Sequence, residues 1–167
     1  MIPDRVKSIL DAHGLKALEF EPDSTPTSPL AAAKIGCAVG QIAKSLLFLG
    51  KDGSLFMVVA PGDRRIAQSK LKAVVGVKSR MARPEETLEA TGYPPGGVCP
   101  FDIPQKIRMF IDAGLSRHPV IYPAAGTTSS GVPMTFDQLV AITGGTVGSF
   151  LDDGEASGGT SSPAEGA

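Results

Sequence analysis

The chain has 167 residues, of which 42% are hydrophobic and 20% are charged, with a formal net charge of −1. This length and composition suit one globular domain with a single substantial core. They exclude a chain that is too polar to form a hydrophobic core. Lys, Asp and Gly interrupt every apolar run, so no stretch approaches the roughly 18–20 residues of a membrane-spanning helix. Cys37 and Cys99 lie far apart without a CxxC spacing, and the N-terminus has no signal-like pattern. We therefore expect a soluble protein of the reducing cytoplasm.

Charge is distributed unevenly along the chain. Residues 152–167 carry four acids and no base, whereas residues 1–151 carry 16 bases against 13 acids. The scarcity of apolar residues at the acidic, Gly/Ser-rich end predicts a flexible tail over 152–167, after a single domain over 1–151. Residues 64–83 contain seven bases and no acid. That segment suits contact with phosphates, although a solvated basic helix face explains it equally well.

Apolar spacing and turn residues predict alternating short helices and strands. Helical spacing occurs over residues 4–13, 29–35, 66–75, 84–91 and 135–142. Apolar, strand-like runs occur over residues 15–20, 45–49, 55–60, 77–81, 106–111 and 119–122. The Asp52-Gly53 pair is typical of a hairpin, so the second and third runs should be central antiparallel strands. Because the elements alternate without a βαβ rhythm, we predict an α+β fold with a mixed, mostly antiparallel sheet flanked by short helices.

Capping residues mark the ends of several predicted helices. Asp4 and Ser28 are candidate N-caps, and Thr135 opens a capping box. Gly36 and Gly92 are expected to end the helices that precede them.

Three loops at predicted strand ends carry candidate site residues: 40–46, 92–100 and 124–127. Lys44 directly precedes an apolar strand, where its stem would be buried and its ammonium group held at the strand end. A cation fixed there suits a phosphate or a carboxylate, whereas the ordinary alternative is a lysine that simply reaches solvent. A phosphate-binding P-loop is rejected, because Ala43 precedes Lys44 and a strand follows it.

The paired glycines Gly96 and Gly97 permit backbone conformations that other residues avoid and let a substrate approach the amide groups. Such amides can form an oxyanion hole, in which each donor contributes about 2.7–4 kcal/mol to transition-state stabilisation. A tight surface turn is an equally good interpretation of the two glycines. Cys99 beside this loop is a candidate nucleophile with His118 or His13. A cysteine without a local catalytic signature is more often a small buried hydrophobic residue, and we favour that interpretation. With two His and two Cys and no ligand-like spacing, we expect neither a metal nor a cofactor.

Taken in order, these segments resemble the YbaK-like editing family, over roughly residues 25–148. That family includes free-standing Cys-tRNA(Pro) and Ala-tRNA(Pro) deacylases and the editing insert of bacterial prolyl-tRNA synthetases. The matching pieces are Gly40-Gln41-Ile42-Ala43-Lys44-Ser45-Leu46, Pro61-Gly62-Asp63 with the basic helix after it, the glycine loop from Gly92 to Phe101, and Ala125-Gly126.

The resemblance implies a barrel-like sheet and hydrolysis of the ester between an amino acid and the terminal ribose of tRNA. It implies that Lys44 positions the tRNA 3′ end and that Gly96 and Gly97 supply backbone donors. Water would be the nucleophile, assisted by the ribose hydroxyl of the substrate. The implied substrate-binding residues are Ser45, Val98, Cys99, Pro100, Ala124, Ala125 and Gly126. The implied tRNA-binding residues are Arg64, Arg65, Lys70 and Lys72.

The implied partners are the acceptor end of tRNA and, second to it, prolyl-tRNA synthetase; neither DNA nor a membrane is expected. Cysteine-specific members carry a serine where this chain has Ala124, so the amino acid removed stays open between residues such as alanine and cysteine. Two other hypotheses remain. One is a non-catalytic module that binds tRNA or a synthetase through the same surface, and the other is a small-molecule hydrolase that uses Cys99.

Overall fold

The fold is described from a computed structural model, in which residues 1–153 are described. Most of the predicted tail, residues 154–167, lies outside the described residues. The helices are α1 (Asp4–Ala12), α2 (Ser28–Ile35), α3 (Gln68–Val75), α4 (Pro84–Thr91) and α5 (Phe136–Thr143), with 3₁₀ turns at Val39–Gln41 and Ala113–Arg117. The strands are β1 (Leu18–Glu19), β2 (Ala43–Gly50), β3 (Leu55–Pro61), β4 (Ser79–Met81), β5 (Ile107–Asp112), β6 (Ser130–Gly131) and β7 (Thr146–Gly148). No helix of this part of the chain has the length and apolar character needed to cross a membrane.

Five of the strands form one sheet in the order β4-β2-β3-β5-β7. The hairpin partner β3 and the edge strand β4 both run antiparallel to β2, whereas β3–β5 and β5–β7 are parallel pairs. A separate two-stranded sheet joins β1 to β6 in antiparallel fashion. The predicted α+β class with a mixed sheet is therefore confirmed. The sheet is open, with β4 and β7 at its edges, and is not closed into a barrel.

The central strands are buried on both faces, which is why their sequences are almost continuously apolar. Because side chains alternate along a strand, Phe56 and Phe110 lie on one face, where Phe110 packs edge-on against Phe150 at 5.6 Å between ring centroids. Val59 and Ile111 lie on the opposite face, in the larger core that α1 and α5 cover. These two layers cover both faces of β2, the strand that carries the predicted Lys44.

Several local predictions are corrected by the structure. Thr27, and not Ser28, caps α2, because the Thr27 hydroxyl accepts a hydrogen bond from the backbone N–H of Leu30. Pro3 precedes the first helical residue of α1, so Asp4 lies inside the helix, where its charge still complements the helix dipole. The predicted strand over 119–122 is reduced to isolated bridges at Ile121 and Tyr122.

Candidate active site

A pocket opens at the edge of β2, where the three predicted loops meet. It offers about 60 Å³ of space to the centres of water-sized molecules. Its walls include segment 25–28, which leads into the first residue of α2, residues 43–46 of β2, Gly96 and Val98 of the glycine loop, and Ala124. Segments that are far apart in the sequence thus meet around Lys44, the residue that the sequence analysis predicted to be functional.

The pocket exists because the outer edge of β2 is only partly covered. The backbone N–H of Ala43 donates to the Tyr122 carbonyl at 3.1 Å, and the Leu47 carbonyl accepts from the Ala82 N–H at 2.9 Å. The pairing with β4 begins only at Phe48. In an antiparallel strand, the N–H and C=O of every second residue point to the same side. Ser45 lies midway between Ala43 and Leu47, so its N–H and C=O also point to this outer edge, between the two bonds. The open edge therefore presents one donor and one acceptor to the pocket.

Lys44 lines the pocket and is half-buried. Its ammonium group donates a hydrogen bond to the Arg64 carbonyl at 2.7 Å. This carbonyl belongs to the turn after β3, which is held in place by the 2.8 Å hydrogen bond from the Gly62 N–H to the Ile42 carbonyl. The arrangement fixes a cation at the rim of the pocket, as the position ahead of an apolar strand had suggested.

The two glycines of the loop have different structural roles. Gly96 lines the pocket with φ +82°, and a Cβ there would lie 2.8 Å from the Pro26 carbonyl oxygen, so the loop can approach segment 25–28 only with glycine at this position. The Gly97 N–H donates to the Pro94 carbonyl at 2.9 Å and is thereby used within the loop. A Cβ at Gly97 would lie 2.7 Å from the backbone of Thr127, so this glycine permits close packing of two loops. Within residues 1–153 the N–H groups of Gly96 and Val98 make no hydrogen bond, and both residues line the pocket.

Ser130 joins two walls of the pocket and is almost fully buried. Its hydroxyl accepts hydrogen bonds from the Ala125 N–H at 3.0 Å and from the Thr127 hydroxyl at 2.8 Å. Its backbone N–H donates to the Thr25 hydroxyl at 3.1 Å. One serine thus holds the segment after Pro123 against the segment that precedes α2.

Four predicted substrate-binding residues do not line this pocket: Cys99, Pro100, Ala125 and Gly126. Ala125 is buried and its N–H is used by Ser130, while Gly126, with φ +91°, packs on the ring of Tyr93. Pro100 lines a separate cavity. Cys99 has no exposed surface, and burial raises the pKa of its thiol to about 11. A buried, protonated thiol is a poor nucleophile, so the geometry does not favour Cys99 chemistry.

The predicted tRNA-binding residues divide into two groups. Arg64 donates to the Asp152 carbonyl at 2.6 Å, and Lys70 bonds the Leu151 carbonyl at 2.7 Å and the Asp153 carboxylate at 2.8 Å. Arg65 and Lys72 are exposed. The first group therefore fastens the end of the described chain to the domain, and the second faces solvent.

Sequence reasoning missed Thr25, Pro26, Tyr122 and Ser130 as pocket residues. Segment 25–28 carries turn and capping signals, which describe its local conformation and say nothing about which loop it will meet. Tyr122 is the last residue of a predicted strand, and Ser130 lies among small polar residues with no distinguishing pattern. In residues 1–153 no three His, Cys, Asp or Glu side chains are grouped as metal ligands would be.

The fold and the pocket define a small α+β domain that holds a lysine and free backbone donors around a space for a small group. Residues 23–142 match the model of the aminoacyl-tRNA editing domain. The chain belongs to this family. The resemblance derived from the sequence is confirmed.

Individual relatives agree with this assignment. The chain is 39% identical over 121 residues to the uncharacterized protein YwhH of Bacillus subtilis (strain 168), covering 72% of this chain and 76% of that protein. It is 40% identical over 85 residues to the proline–tRNA ligase of Thermosipho melanesiensis, but these residues are 50% of this chain and 15% of the ligase. The crystal structure of a candidate trans-editing enzyme for prolyl tRNA synthetase superposes with a TM-score of 0.80 at 36% identity, covering 90% of this chain and 96% of that one.

Proposed function

We propose that this protein is a trans-editing deacylase that hydrolyses the ester of a mischarged aminoacyl-tRNA. The proposed substrate is tRNA(Pro) carrying a small amino acid such as alanine or cysteine. The observation that carries the proposal is the convergence, at one pocket, of the fixed cation of Lys44 with the unpaired N–H groups of Gly96 and Val98.

These groups match what ester hydrolysis requires. Attack of water on the ester carbonyl creates a negatively charged oxygen, and N–H donors that are already in position stabilise that charge. Gly96 and Val98 are the donors for this oxygen in our proposal, while the ammonium group of Lys44 positions the phosphate or ribose of the tRNA 3′ end. Among the described residues that line the pocket there is no Asp, Glu, His or Cys. Activation of the water by the ribose hydroxyl of the substrate therefore fits this site.

The size of the pocket supports a small aminoacyl group. About 60 Å³ for the centres of water-sized molecules leaves room for a short side chain beside the ester, and a large side chain would meet Val98 or Ala124. A synthetase that must tell apart small amino acids gains only about 1–3 kcal/mol per methylene, so a second site that removes the errors is useful.

The similarity to proline–tRNA ligases and to the candidate trans-editing enzyme supports tRNA(Pro) as the nucleic acid and prolyl-tRNA synthetase as a second partner. Arg65 and Lys72 are exposed on the basic segment and are proposed to contact phosphates of the acceptor stem. We propose that the protein acts in the cytoplasm, together with these two proposed partners.

The test is release of labelled amino acid from purified tRNA(Pro) charged with alanine, cysteine or serine, by the wild type and by Lys44→Ala. We expect hydrolysis of at least one substrate and its collapse in the variant. If the wild type hydrolyses none of these substrates but still binds tRNA, the deacylase proposal is refuted and a non-catalytic binding module is favoured.

A further inference from the structure

A second, smaller cavity adjoins the pocket, between β2 and the residues that lead from β4 into α4. It offers about 30 Å³ to the centres of water-sized molecules and shares Ser45, Leu46 and Val98 with the main pocket. Its remaining walls are largely apolar and include Ala82 and Pro95. None of the described residues that line it is charged.

Ser45 stands where the two cavities meet, and its hydroxyl is anomalous. Ser45 is only 8% exposed, and its side-chain oxygen is buried. That oxygen has no hydrogen-bond partner within residues 1–153. Nearly all buried hydroxyl groups in folded proteins are hydrogen-bonded, so an unpaired one on a residue that lines two cavities points to a ligand that completes it. Ser24 is the other buried hydroxyl without a partner in the described chain, and it lines neither cavity.

The apolar walls decide which part of an aminoacyl-tRNA could enter. A phosphate or the α-ammonium group would lose its hydration there without an opposite charge to compensate. The ester oxygen has donors of its own in Gly96 and Val98. The small, uncharged side chain is the remaining part of the substrate.

We propose that this side cavity receives the aminoacyl side chain and that the hydroxyl of Ser45 selects small side chains that end in a hydroxyl group, with serine as the preferred residue. This inference rests on the proposed deacylase function and specifies its substrate. A seryl hydroxyl and Ser45 can each donate to or accept from the other, so both become paired in the complex. An alanyl methyl group leaves Ser45 unpaired.

The sharpest comparison uses two side chains of the same size. Serine and 2-aminobutyrate differ only by a hydroxyl in place of a methyl group, so a difference between them reports hydrogen bonding and not volume. On tRNA(Pro), we expect wild-type kcat/KM to be roughly 10-fold higher for serine than for 2-aminobutyrate, since a site that hydrogen-bonds a substrate hydroxyl discriminates against an analogue without it.

The variant Ser45→Ala should remove this preference, because its kcat/KM for seryl-tRNA should fall to the value for 2-aminobutyryl-tRNA. Because the Ser45 hydroxyl has no partner in the free protein, its removal breaks no hydrogen bond and the variant should fold normally. Ser24→Ala removes an equally unpaired hydroxyl from a residue that lines neither cavity, and it should leave the preference unchanged.

A wild type that hydrolyses alanyl- and 2-aminobutyryl-tRNA without favouring seryl-tRNA would overturn this inference and leave the deacylase standing. An equal loss on both substrates in Ser45→Ala would overturn it too, because Ser45 would then contact a group common to all aminoacyl esters. Absence of hydrolysis on every substrate would remove both proposals. Calorimetric binding of the amide-linked analogues 3′-seryl- and 3′-(2-aminobutyryl)-aminoadenosine tests selection without turnover, and equal affinities would contradict the role of Ser45.

Discussion

The ammonium group of Lys44 is held 2.7 Å from the carbonyl oxygen of Arg64, twenty residues further along the chain. The guanidinium group of Arg64 in turn donates to the Asp152 carbonyl at 2.6 Å. Arg64 thus connects the pocket to the end of the described chain. Its backbone carbonyl binds Lys44, and its side chain binds Asp152. The position of the cation is therefore set by the turn after β3 as well as by β2.

Replacing Lys44 by methionine should reduce deacylation without unfolding the protein. Methionine keeps most of the apolar stem but removes the charge that we assign to the tRNA 3′ end, and we expect kcat/KM to fall by about 100-fold or more, as for other groups that position a substrate. Lys51→Met, in the exposed hairpin turn, is the matched control and should leave kcat/KM unchanged. Deacylation kinetics and thermal unfolding of both variants are the measurements. Full activity in Lys44→Met would contradict the assignment.

Gly96→Ala should destabilise the protein more than Gly53→Ala does, although both glycines have positive φ, +82° and +87°. An alanine at Gly53 meets nothing within 4 Å and costs only the backbone strain of about 1–2 kcal/mol. An alanine at Gly96 adds a contact of 2.8 Å with the Pro26 carbonyl oxygen, so its total cost should reach about 3 kcal/mol or more. Urea unfolding of both variants measures the difference. Equal free energies of unfolding would show that the loop is not held against segment 25–28.

The parts of the fold that were predictable from the sequence depend on local chemistry. Gly53 in the hairpin turn, Gly36 and Gly92 at helix ends, and the capping box at Thr135 act within a few residues of their own position. The apolar runs that became β2 and β3 are the central strands of the sheet, as predicted. Such signals are readable because they need no knowledge of tertiary contacts.

The site was predictable only in part, because its second half is assembled by contacts between distant residues. Lys44 and Gly96 have distinctive local settings, whereas Thr25 and Ser130 are ordinary polar residues until the fold brings them together, 105 positions apart. The strand β7 escaped prediction for a similar reason. It is three residues long and is fixed by its pairing with β5 and by the buried Asp112, whose carboxylate accepts the Phe150 N–H at 2.8 Å.

Cys99→Ala should keep full deacylase activity, because the thiol has no exposed surface and burial raises its pKa to about 11. At pH 8 this thiol is protonated and inaccessible, so iodoacetamide should modify the partly exposed Cys37 much faster. Peptide mass spectrometry after timed alkylation gives the two rates, and an assay of Cys99→Ala gives the activity. Loss of catalysis with retained thermal stability would instead revive Cys99 as a nucleophile.

Arg65→Ala and Lys72→Ala should weaken tRNA binding while the free energy of unfolding stays within about 0.5 kcal/mol of wild type, since both side chains are exposed. A plot of log affinity against log salt concentration has a negative slope, and each lost phosphate contact should make it less steep by roughly 0.7–0.9. Lys70→Ala should differ, because Lys70 also bonds the Leu151 carbonyl and its removal should destabilise the protein as well. Filter binding over a salt series and urea unfolding separate the two groups. Unchanged salt slopes in Arg65→Ala and Lys72→Ala would remove this face from the proposed interface.

Glu86 should contribute stability that is lost at acidic pH. The guanidinium group of Arg80 and the backbone N–H of Arg83 lower the pKa of its carboxyl group from 4.5 to about 2. Because the pKa is lower in the folded state, the contribution is complete above about pH 4.5 and disappears as the pH falls toward 2. Glu86→Gln should therefore be less stable than wild type at pH 6 and converge with it near pH 2.

The matched control is Glu85→Gln, which removes an equal charge from the same helix turn; within residues 1–153, Glu85 forms an ion pair with Arg83 alone. Its difference from wild type should be smaller than that of Glu86→Gln at every pH in this range. Urea unfolding from pH 2 to pH 6 measures both variants, and 1 M NaCl should reduce the Glu86 effect, because this carboxylate lies where ions can screen it. A constant gap between Glu86→Gln and wild type down to pH 2 would show that the Arg80 pairing does not set the titration of this group.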